Sequence, residues 1–206
     1  MFTGIIQAIG QIEAVDAFEG GVRLTVDAGE LDLSNVVLGD SIAHNGACMT
    51  VIEQIPPRKY KIDVSNESLR CTVGLDRPGP VNLEKAMRLG DMLGGHMVSG
   101  HVDGVGTVLA FDPVGENRLL RIAAPATLAR YLAAKGSVVV NGVSLTTNTV
   151  RDTAAGCEFE INLIPHTLSV TTLGQLQAGA QVNLEIDLIA RYVERMVSLE
   201  QQGSAV

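Results

Sequence analysis

The sequence repeats itself, and this repeat constrains the fold more than any other feature. MFTGIIQAIGQI at residues 1–12 matches MVSGHVDGVGTV at residues 97–108, an offset of 96 positions. NGACMT (45–50) matches NGVSLT (141–146) at the same offset. Two later pairs, IDVSNESL with INLIPHTL and VNLEKA with VNLEID, keep the order while the offset grows to 99 and then 101. Four collinear matches indicate a duplicated domain rather than chance similarity.

The repeat also predicts the domain organisation. Short Val, Ile and Leu runs, such as VRLTV (22–26) and FEINLI (159–164), are separated by Gly, Asn, Asp or Pro, which is typical of β-strands joined by tight turns. About six such strands per copy predict a small closed barrel, since closure removes unpaired strand edges. We therefore expect an all-β protein: two tandem homologous six-stranded closed β-barrels with short helices, plus a C-terminal α-helix. The expected boundaries are 1–90, 91–187 and 188–206.

Helical signals are few outside the C-terminus. Short helical turns are predicted around LEKAMRLG (83–90), TLARYLAA (127–134) and HTLSVTTLG (166–174). In DLIARYVERMVSL (187–199) the apolar residues recur at helical spacing, and Asp187 can cap the start of the helix. The apolar stripe of this helix has two possible partners, its own barrel or further copies of itself in an oligomer. The sequence leaves both open.

Composition excludes several classes of partner. The formal net charge is −8 and the Lys and Arg residues are scattered, so a phosphate backbone would be repelled and no nucleic-acid partner is expected. The three cysteines are odd in number and lack CxxC spacing, which favours reduced thiols in the cytoplasm. No apolar run reaches the length that crosses a bilayer, so no membrane partner is expected.

The stretch GGHMVSGHVDG (94–104) holds two histidines and four glycines at the start of the second copy. His96 and His101 are five positions apart and no HExxH motif, cysteine cluster or carboxylate pair flanks them, so no metal site is expected. The glycines fit neither GxGxxG nor a phosphate-binding loop, so no dinucleotide cofactor is expected.

Matched positions of the two copies carry small polar groups. The aligned pairs are Cys48 with Ser144, Thr50 with Thr146, Ile5 with His101, Asp63 with Asn162, and Ser68 with Thr167. Each residue alone is explained by turns and strand ends that satisfy backbone groups. As a matched set they indicate two related pockets, one in each copy. Among these positions, only the second copy has an imidazole.

At MFTGI, NGACMTV, GGHMVSGH, NGVSLT, IPHTL and VNLEID, the chain resembles the riboflavin synthase family over nearly its whole length. The resemblance implies the dismutation of two 6,7-dimethyl-8-ribityllumazine molecules by transfer of a four-carbon unit, without cofactor or metal. It also implies one lumazine per barrel and a homotrimer held by the C-terminal helix. The working site would lie between the N-terminal barrel of one subunit and the C-terminal barrel of its neighbour. An association with lumazine synthase is left open.

The resemblance further implies which residues act. His101 would relay a proton from the C7 methyl group, with Ser144 and Thr146 as hydrogen-bonding partners. Cys48 or Ser41 would assist addition to the acceptor ring, and Asp187 would act on charge or proton transfer. The choice of base and nucleophile stays open, as does a role for His96 beyond ordering the junction. The candidate catalytic residues are His101, Ser144, Thr146, Cys48, Asp187 and Ser41.

Substrate-binding residues are expected in two sets, one per barrel. The first-barrel set is Gly4, Ile5, Ile6, Cys48, Met49, Thr50, Asp63, Val64, Ser65, Asn66, Glu67 and Ser68. The second-barrel set is Gly100, His101, Val102, Lys135, Ser144, Leu145, Thr146, Asn162, Leu163, Ile164, Pro165, His166 and Thr167.

Two other functions fit a duplicated barrel. A lumazine- or flavin-binding antenna protein would share the fold and perform no chemistry. A structural or interaction module would use the barrels only as a scaffold. The polar groups present in both copies favour the enzyme.

Overall fold

The first copy forms a closed six-stranded antiparallel barrel in the computed structural model, which describes residues 1–203. Around the barrel the strand order is β1-β2-β5-β4-β3-β6. The strands are β1 (Ala8–Phe18), β2 (Gly21–Asp27), β3 (Ser41–His44), β4 (Ala47–Ile55), β5 (Lys59–Ser65) and β6 (Gly79–Lys85). A short helix, α1 (Asn66–Cys71), follows β5 and is capped by the Ser65 side chain. Alternation along β5 turns Tyr60, Ile62 and Val64 into the core.

The second copy repeats this order with one interruption. Its seven strands run β10-β9-β13-β7-β8-β12-β11. They are β7 (Gly104–Val114), β8 (Asn117–Pro125), β9 (Ser137–Val140), β10 (Val143–Thr146), β11 (Thr149–Thr153), β12 (Gly156–Leu163) and β13 (Gln181–Ile186). Together β10 and β11 take the place of β4, and the chain leaves the sheet between them because Thr147 bonds to the carbonyls of Ala133 and Gly136. The all-β prediction with duplicated barrels is confirmed, with the second barrel open at this point.

The helical predictions had mixed outcomes. The segment 166–174 is helical, as α3 (Pro165–Val170) and a 3-10 turn (Thr172–Gln175). The segment 127–134 holds only α2 (Ala126–Ala129). The prediction at 83–90 was wrong, because pairing of β6 with β1 and β3 extends the strand through Lys85 and no helix follows.

The C-terminal helix α4 (Leu188–Gly203) is present as predicted. The Asp187 carboxylate accepts a hydrogen bond from the amide of Ile189 at 2.8 Å and caps the helix. Side chains of α4 are described as far as Leu199. Among residues 1–203, no helix combines the length and the apolar character needed to cross a membrane.

The two barrels meet around a local two-fold relationship. Each barrel has its own hydrophobic core, and a third small cluster joins them through Phe2, Ala43, Val98 and Val139. The amide of Phe2 donates to the carbonyl of Val98 at 2.7 Å, and the amide of Val98 donates back at 3.1 Å. These residues are equivalent in the two copies, so the bridge lies on the two-fold axis.

Buried asparagines cross the same junction. Asn82 Nδ2 donates to the carbonyl of Asn141 at 2.9 Å, and Asn183 Nδ2 donates to the carbonyl of Asn45 at 3.0 Å. All four side chains are at least nine-tenths buried. Because buried amides bond strongly when fully paired, this network fixes one barrel against the other.

Candidate functional site

Two short segments cross from one copy to the barrel of the other; we call residues 2–6 and 98–102 the first and second crossing segments. The carbonyl oxygen of Gly4 accepts a hydrogen bond from the amide of Ser144 at 2.7 Å. The carbonyl oxygen of Gly100 accepts the equivalent bond from the amide of Cys48 at 2.8 Å. Each segment therefore forms a backbone hydrogen bond with a strand of the opposite barrel. Ile6 packs against the second core and Val102 against the first.

The contacts of the crossing segments require glycine. Gly4 and Gly100 have φ values of +76° and +81°. A Cβ on Gly4 would lie 2.5 Å from the Cβ of Ser144, and a Cβ on Gly100 would lie 2.7 Å from the Cβ of Cys48. The crossing backbone thus lies directly against Ser144 and Cys48, two of the six side chains predicted to be catalytic.

A buried glutamate anchors each crossing segment on its other side. Glu84, on β6, accepts hydrogen bonds from the amide and hydroxyl of Thr3, both at 2.7 Å, and from the amide of Gly4 at 3.0 Å. Glu185, on β13, accepts the equivalent three bonds from the second crossing segment at 2.7, 2.7 and 3.1 Å. Burial raises the pKa of both carboxyls, while these hydrogen bonds oppose the rise.

We call the contact of Gly100 with Cys48 the first crossing point and the contact of Gly4 with Ser144 the second. The first crossing point opens into a cavity of about 210 Å³, the first pocket. Its walls come from residues 47–49 of β4, from 67–68 and 71–72 around α1, and from 100–102 of the second crossing segment. The sequence predicted a first-barrel site that includes Gly4–Ile6, and this grouping was wrong. No local pattern in the sequence reveals that the two segments exchange barrels.

His101 therefore lies in the first pocket, beside Cys48 and Ser68. The expected hydrogen bonds from His101 to Ser144 and Thr146 are absent from the described residues, because the second crossing segment carries His101 to the opposite barrel. The thiols of Cys48 and Cys71, two hydroxyl residues and the imidazole of His101 thus line a common space in the first barrel.

At the second crossing point, where Gly4 contacts Ser144, the nearby histidine is His96 and not His101. His96 Nδ1 lies 2.7 Å from Ser144 Oγ, and the His96 amide bonds to the carbonyl of Thr3 at 3.2 Å. Burial lowers the pKa of His96, and the charge of Asp187 opposes that shift. His96 Nε2 is buried and has no hydrogen-bond partner among the described residues. The sequence left open whether His96 lies close to the site or only orders the junction, and the structure places it against Ser144.

Several residues of the predicted binding set lie outside these two points. The side chains of Val64 and Leu163 are in the barrel cores. Asp63 forms a two-pronged ion pair with Arg23, with bonds of 2.8 and 2.9 Å, and the guanidinium lowers the pKa of the Asp63 carboxyl. Ser65 is occupied by its bond to the Ser68 amide.

Other predicted residues are exposed or line another cavity. Lys135, with φ +67°, is exposed in the turn before β9. Ser41 lines a separate polar cavity of about 380 Å³ together with Lys85 and Arg88. The remaining side chains of the second set lie around α3 and on β10: Thr146, Asn162, Ile164, Pro165 and His166 are exposed, and Leu145 and Thr167 are half-buried.

Among the side chains described, residues 1–199, no group of three His, Cys, Asp or Glu is arranged to hold a metal ion. The two crossing points together present thiols, hydroxyls, imidazoles and a nearby carboxylate.

Comparison with known proteins identifies the duplicated unit. The family model for the lumazine binding domain matches the chain twice, at residues 3–86 and 99–187. Riboflavin synthase of Mycobacterium tuberculosis (strain ATCC 25618 / H37Rv) is 43% identical over 203 residues, covering 96% of this chain and 98% of that protein. Riboflavin synthase of Bacillus subtilis (strain 168) is 37% identical over 200 residues, covering 96% of this chain and 90% of that protein.

Solved structures show the same fold with ligands. The crystal structure of LumP complexed with riboflavin has a TM-score of 0.79 and 27% sequence identity, covering 90% of this chain and 99% of that one. LumP complexed with 6,7-dimethyl-8-(1'-D-ribityl) lumazine has a TM-score of 0.77 and 26% identity, covering 90% of this chain and 98% of that one. With two lumazine binding domains and high identity to riboflavin synthases over almost the entire chain, the protein belongs to the riboflavin synthase family.

Proposed function

We propose that this protein converts two molecules of 6,7-dimethyl-8-ribityllumazine into riboflavin and 5-amino-6-ribitylamino-pyrimidinedione. The observation that carries the proposal is the identity of 37–43% to riboflavin synthases across nearly the full length of both chains. Identity to the LumP structures is lower, at 26–27%. Two related binding places in one chain suit a reaction between two like molecules, which must be held close together and correctly oriented.

The balance of the reaction supports a cofactor-independent transferase. One lumazine gives up a four-carbon unit and the other gains it, so the two products contain all the atoms of the two substrates. No external oxidant or reductant is required. The protein's part is to orient the two rings, to move protons and to assist addition to the acceptor.

The two crossing points supply different groups for this work. In the first pocket, we assign His101 to the proton that leaves the C7 methyl group, with the Cys48 thiol as the group that adds to or positions the neighbouring ring. At the second point, the Ser144 hydroxyl is held by His96, with the charge of Asp187 nearby. We assign the ribityl chains to the exposed hydroxyls and amides around α1 and α3.

We also propose that the protein is a homotrimer assembled through α4. One side of the helix is tied to its own barrel by the pairs Glu194–Arg130 and Arg191–Asp103, each at 2.6 Å. Its other side leaves Tyr192 and Met196 each 68% exposed. Such an apolar face on a terminal helix favours burial against further copies. A working site shared between neighbouring subunits, and a location in the cytoplasm, belong to the same proposal.

The test is to incubate the purified protein, freed of metal by a chelator, with 6,7-dimethyl-8-ribityllumazine alone and to follow riboflavin by its absorbance. We expect riboflavin to form in half the molar amount of lumazine consumed. His101→Ala and Ser144→Ala should each slow the reaction about a hundredfold, while Glu13→Gln, which changes an exposed ion pair with Lys59, should not.

The alternatives give different results in this experiment. Lumazine binding without formation of riboflavin would overturn the enzyme and leave a binding protein like LumP. Absence of binding would leave only a scaffold. A requirement for an added metal or cofactor would overturn the cofactor-independent reaction.

A further inference from the structure

Glu84 and Glu185 occupy equivalent positions on the last strand of each copy, and they are 2% and 1% exposed. Each accepts three hydrogen bonds from a crossing segment, at 2.7–3.0 Å for Glu84 and 2.7–3.1 Å for Glu185. Bonds from amides and hydroxyls to a buried carboxylate are short and strong, and they satisfy a group that is otherwise costly to bury. The carboxylates therefore fix the position of the crossing backbone.

The same backbone is bonded to the opposite barrel on its other side. Glu185 belongs to the second barrel, but the Gly100 it holds bonds through its carbonyl to the amide of Cys48 in the first barrel. His101 follows directly, so any shift of Gly100 moves the imidazole and one wall of the first pocket. By the same geometry, Glu84 of the first barrel holds the residues that lie against Ser144 of the second.

We propose that Glu84 and Glu185 are positioning residues that act across the molecule: Glu185 sets the ligand affinity of the first pocket, and Glu84 sets that of the site at Ser144. The inference rests on the proposed function in taking riboflavin as the ligand of both sites. Because each carboxylate and the pocket it shapes belong to different barrels, the two effects are crossed. The arrangement also makes each binding place depend on both repeats of the chain.

Replacement of either glutamate by glutamine tests this at nearly constant volume. The glutamine oxygen can keep the bonds to one residue of the segment, but its amide nitrogen then faces a backbone N–H in place of the second carboxylate oxygen. At position 185 this leaves the Gly100 amide without an acceptor, and at position 84 the Gly4 amide. The loss of one charge-assisted bond should displace the segment and weaken binding there about tenfold.

Histidine side chains give a separate readout for each site. The chain has four histidines: His101 in the first pocket, His96 beside Ser144, His44 in the first core, and exposed His166. We would label the full-length protein with ¹⁵N-histidine and titrate it with riboflavin, following each imidazole by NMR. A purely structural role would change stability without separating the two titrations.

The expected result is a crossed pattern. Glu185→Gln should raise the riboflavin Kd reported by His101 about tenfold and leave that reported by His96 within about twofold. Glu84→Gln should do the reverse, and the control Glu13→Gln should change neither. An unchanged His44 signal shows that the first core is intact.

Equal weakening at both sites, weakening in the barrel that carries the substituted glutamate, or no weakening would each overturn the inference. If a glutamine variant does not fold, Ser99→Ala and Thr3→Ala remove one hydrogen bond from each carboxylate, and the same crossed pattern is expected at about threefold. Riboflavin binding requires no turnover. A crossed pattern in a protein that forms no riboflavin would therefore overturn the proposed reaction and leave the positioning roles of the two glutamates standing. A wild-type chain that binds riboflavin at neither site would overturn both.

Discussion

Gly46 and Gly142 lie against each other where the two barrels meet: a Cβ on Gly142 would be 2.8 Å from the amide nitrogen of Gly46, and the reverse distance is 2.9 Å. Each is the second residue of an Asn-Gly turn, with φ values of +86° and +83°. The turns are equivalent in the two copies, so the two-fold axis passes between their tips. No side chain larger than hydrogen fits there without moving one barrel away from the other.

Gly142→Ala should therefore cost more stability than an alanine at a glycine of similar conformation elsewhere. A positive φ alone costs about 1 kcal/mol, and the clash between the barrels should add about 1–3 kcal/mol. Gly39→Ala is the matched control, since Gly39 has φ +93° and open space where its Cβ would lie. Denaturant unfolding of the two variants measures the difference in the free energy of unfolding. Equal losses would show that the contact between the barrels accommodates a methyl group at no extra cost.

Acid should destabilise the first barrel through His44. This imidazole is fully buried between the carbonyl of Ile42 at 3.0 Å and the hydroxyl of Tyr60 at 2.7 Å, and burial lowers its pKa to about 4. The unfolded chain takes up a proton near pH 6.5 while the folded chain resists it. The free energy of unfolding is therefore highest above about pH 6.5. It falls by about 3 kcal/mol as the pH drops from about 6.5 to about 4.

The second barrel supplies the design of the test variant, because Val140 and Phe159 stand where the first barrel has His44 and Tyr60. The double variant His44→Val with Tyr60→Phe removes both polar groups together, so neither is left unpaired in the core. Unfolding free energies at pH 7 and pH 5 should differ less in this variant than in the wild type, by about 2 kcal/mol. The same pH dependence in both proteins would exclude His44 as its source.

The repeat made much of this architecture predictable. The Asn-Gly pairs correctly predicted tight turns, and Asn45 and Asn141 both adopt positive φ there. The exchange of the crossing segments was not predictable, because the bonds Ser144–Gly4 and Cys48–Gly100 join residues far apart in sequence and carry no periodic signal. For the same reason the sequence grouped His101 with Ser144, and the structure groups it with Cys48.

Thiol labelling should distinguish the three cysteines and report on the first pocket. Cys48 and Cys71 line that pocket and are half-buried, whereas Cys157 is 1% exposed and burial raises its pKa. Since the thiolate is the reactive form, iodoacetamide should modify the first two and spare Cys157 in the folded chain. Saturating riboflavin should slow modification of Cys48 about tenfold by covering it, as measured by mass spectrometry of peptides. Labelling of Cys48 at an undiminished rate would place the ligand outside the first pocket.

A charge on the exposed face of α4 should separate the subunits. Met196 is 68% exposed and lies on the same face as Ile189, Tyr192 and Val193, whose exposed fractions are 61%, 68% and 53%. In Met196→Glu, assembly through this face would bury an unpaired carboxylate, which costs about 2–4 kcal/mol per subunit. Light scattering should give the mass of one 21.7 kDa chain for the variant and three times that mass for the wild type.

Val114→Glu is the control, because Val114 is 52% exposed at a hairpin end remote in sequence from α4. If Met196→Glu keeps the wild-type mass, α4 does not hold the subunits together; if the wild type is itself a single chain, the trimer is wrong.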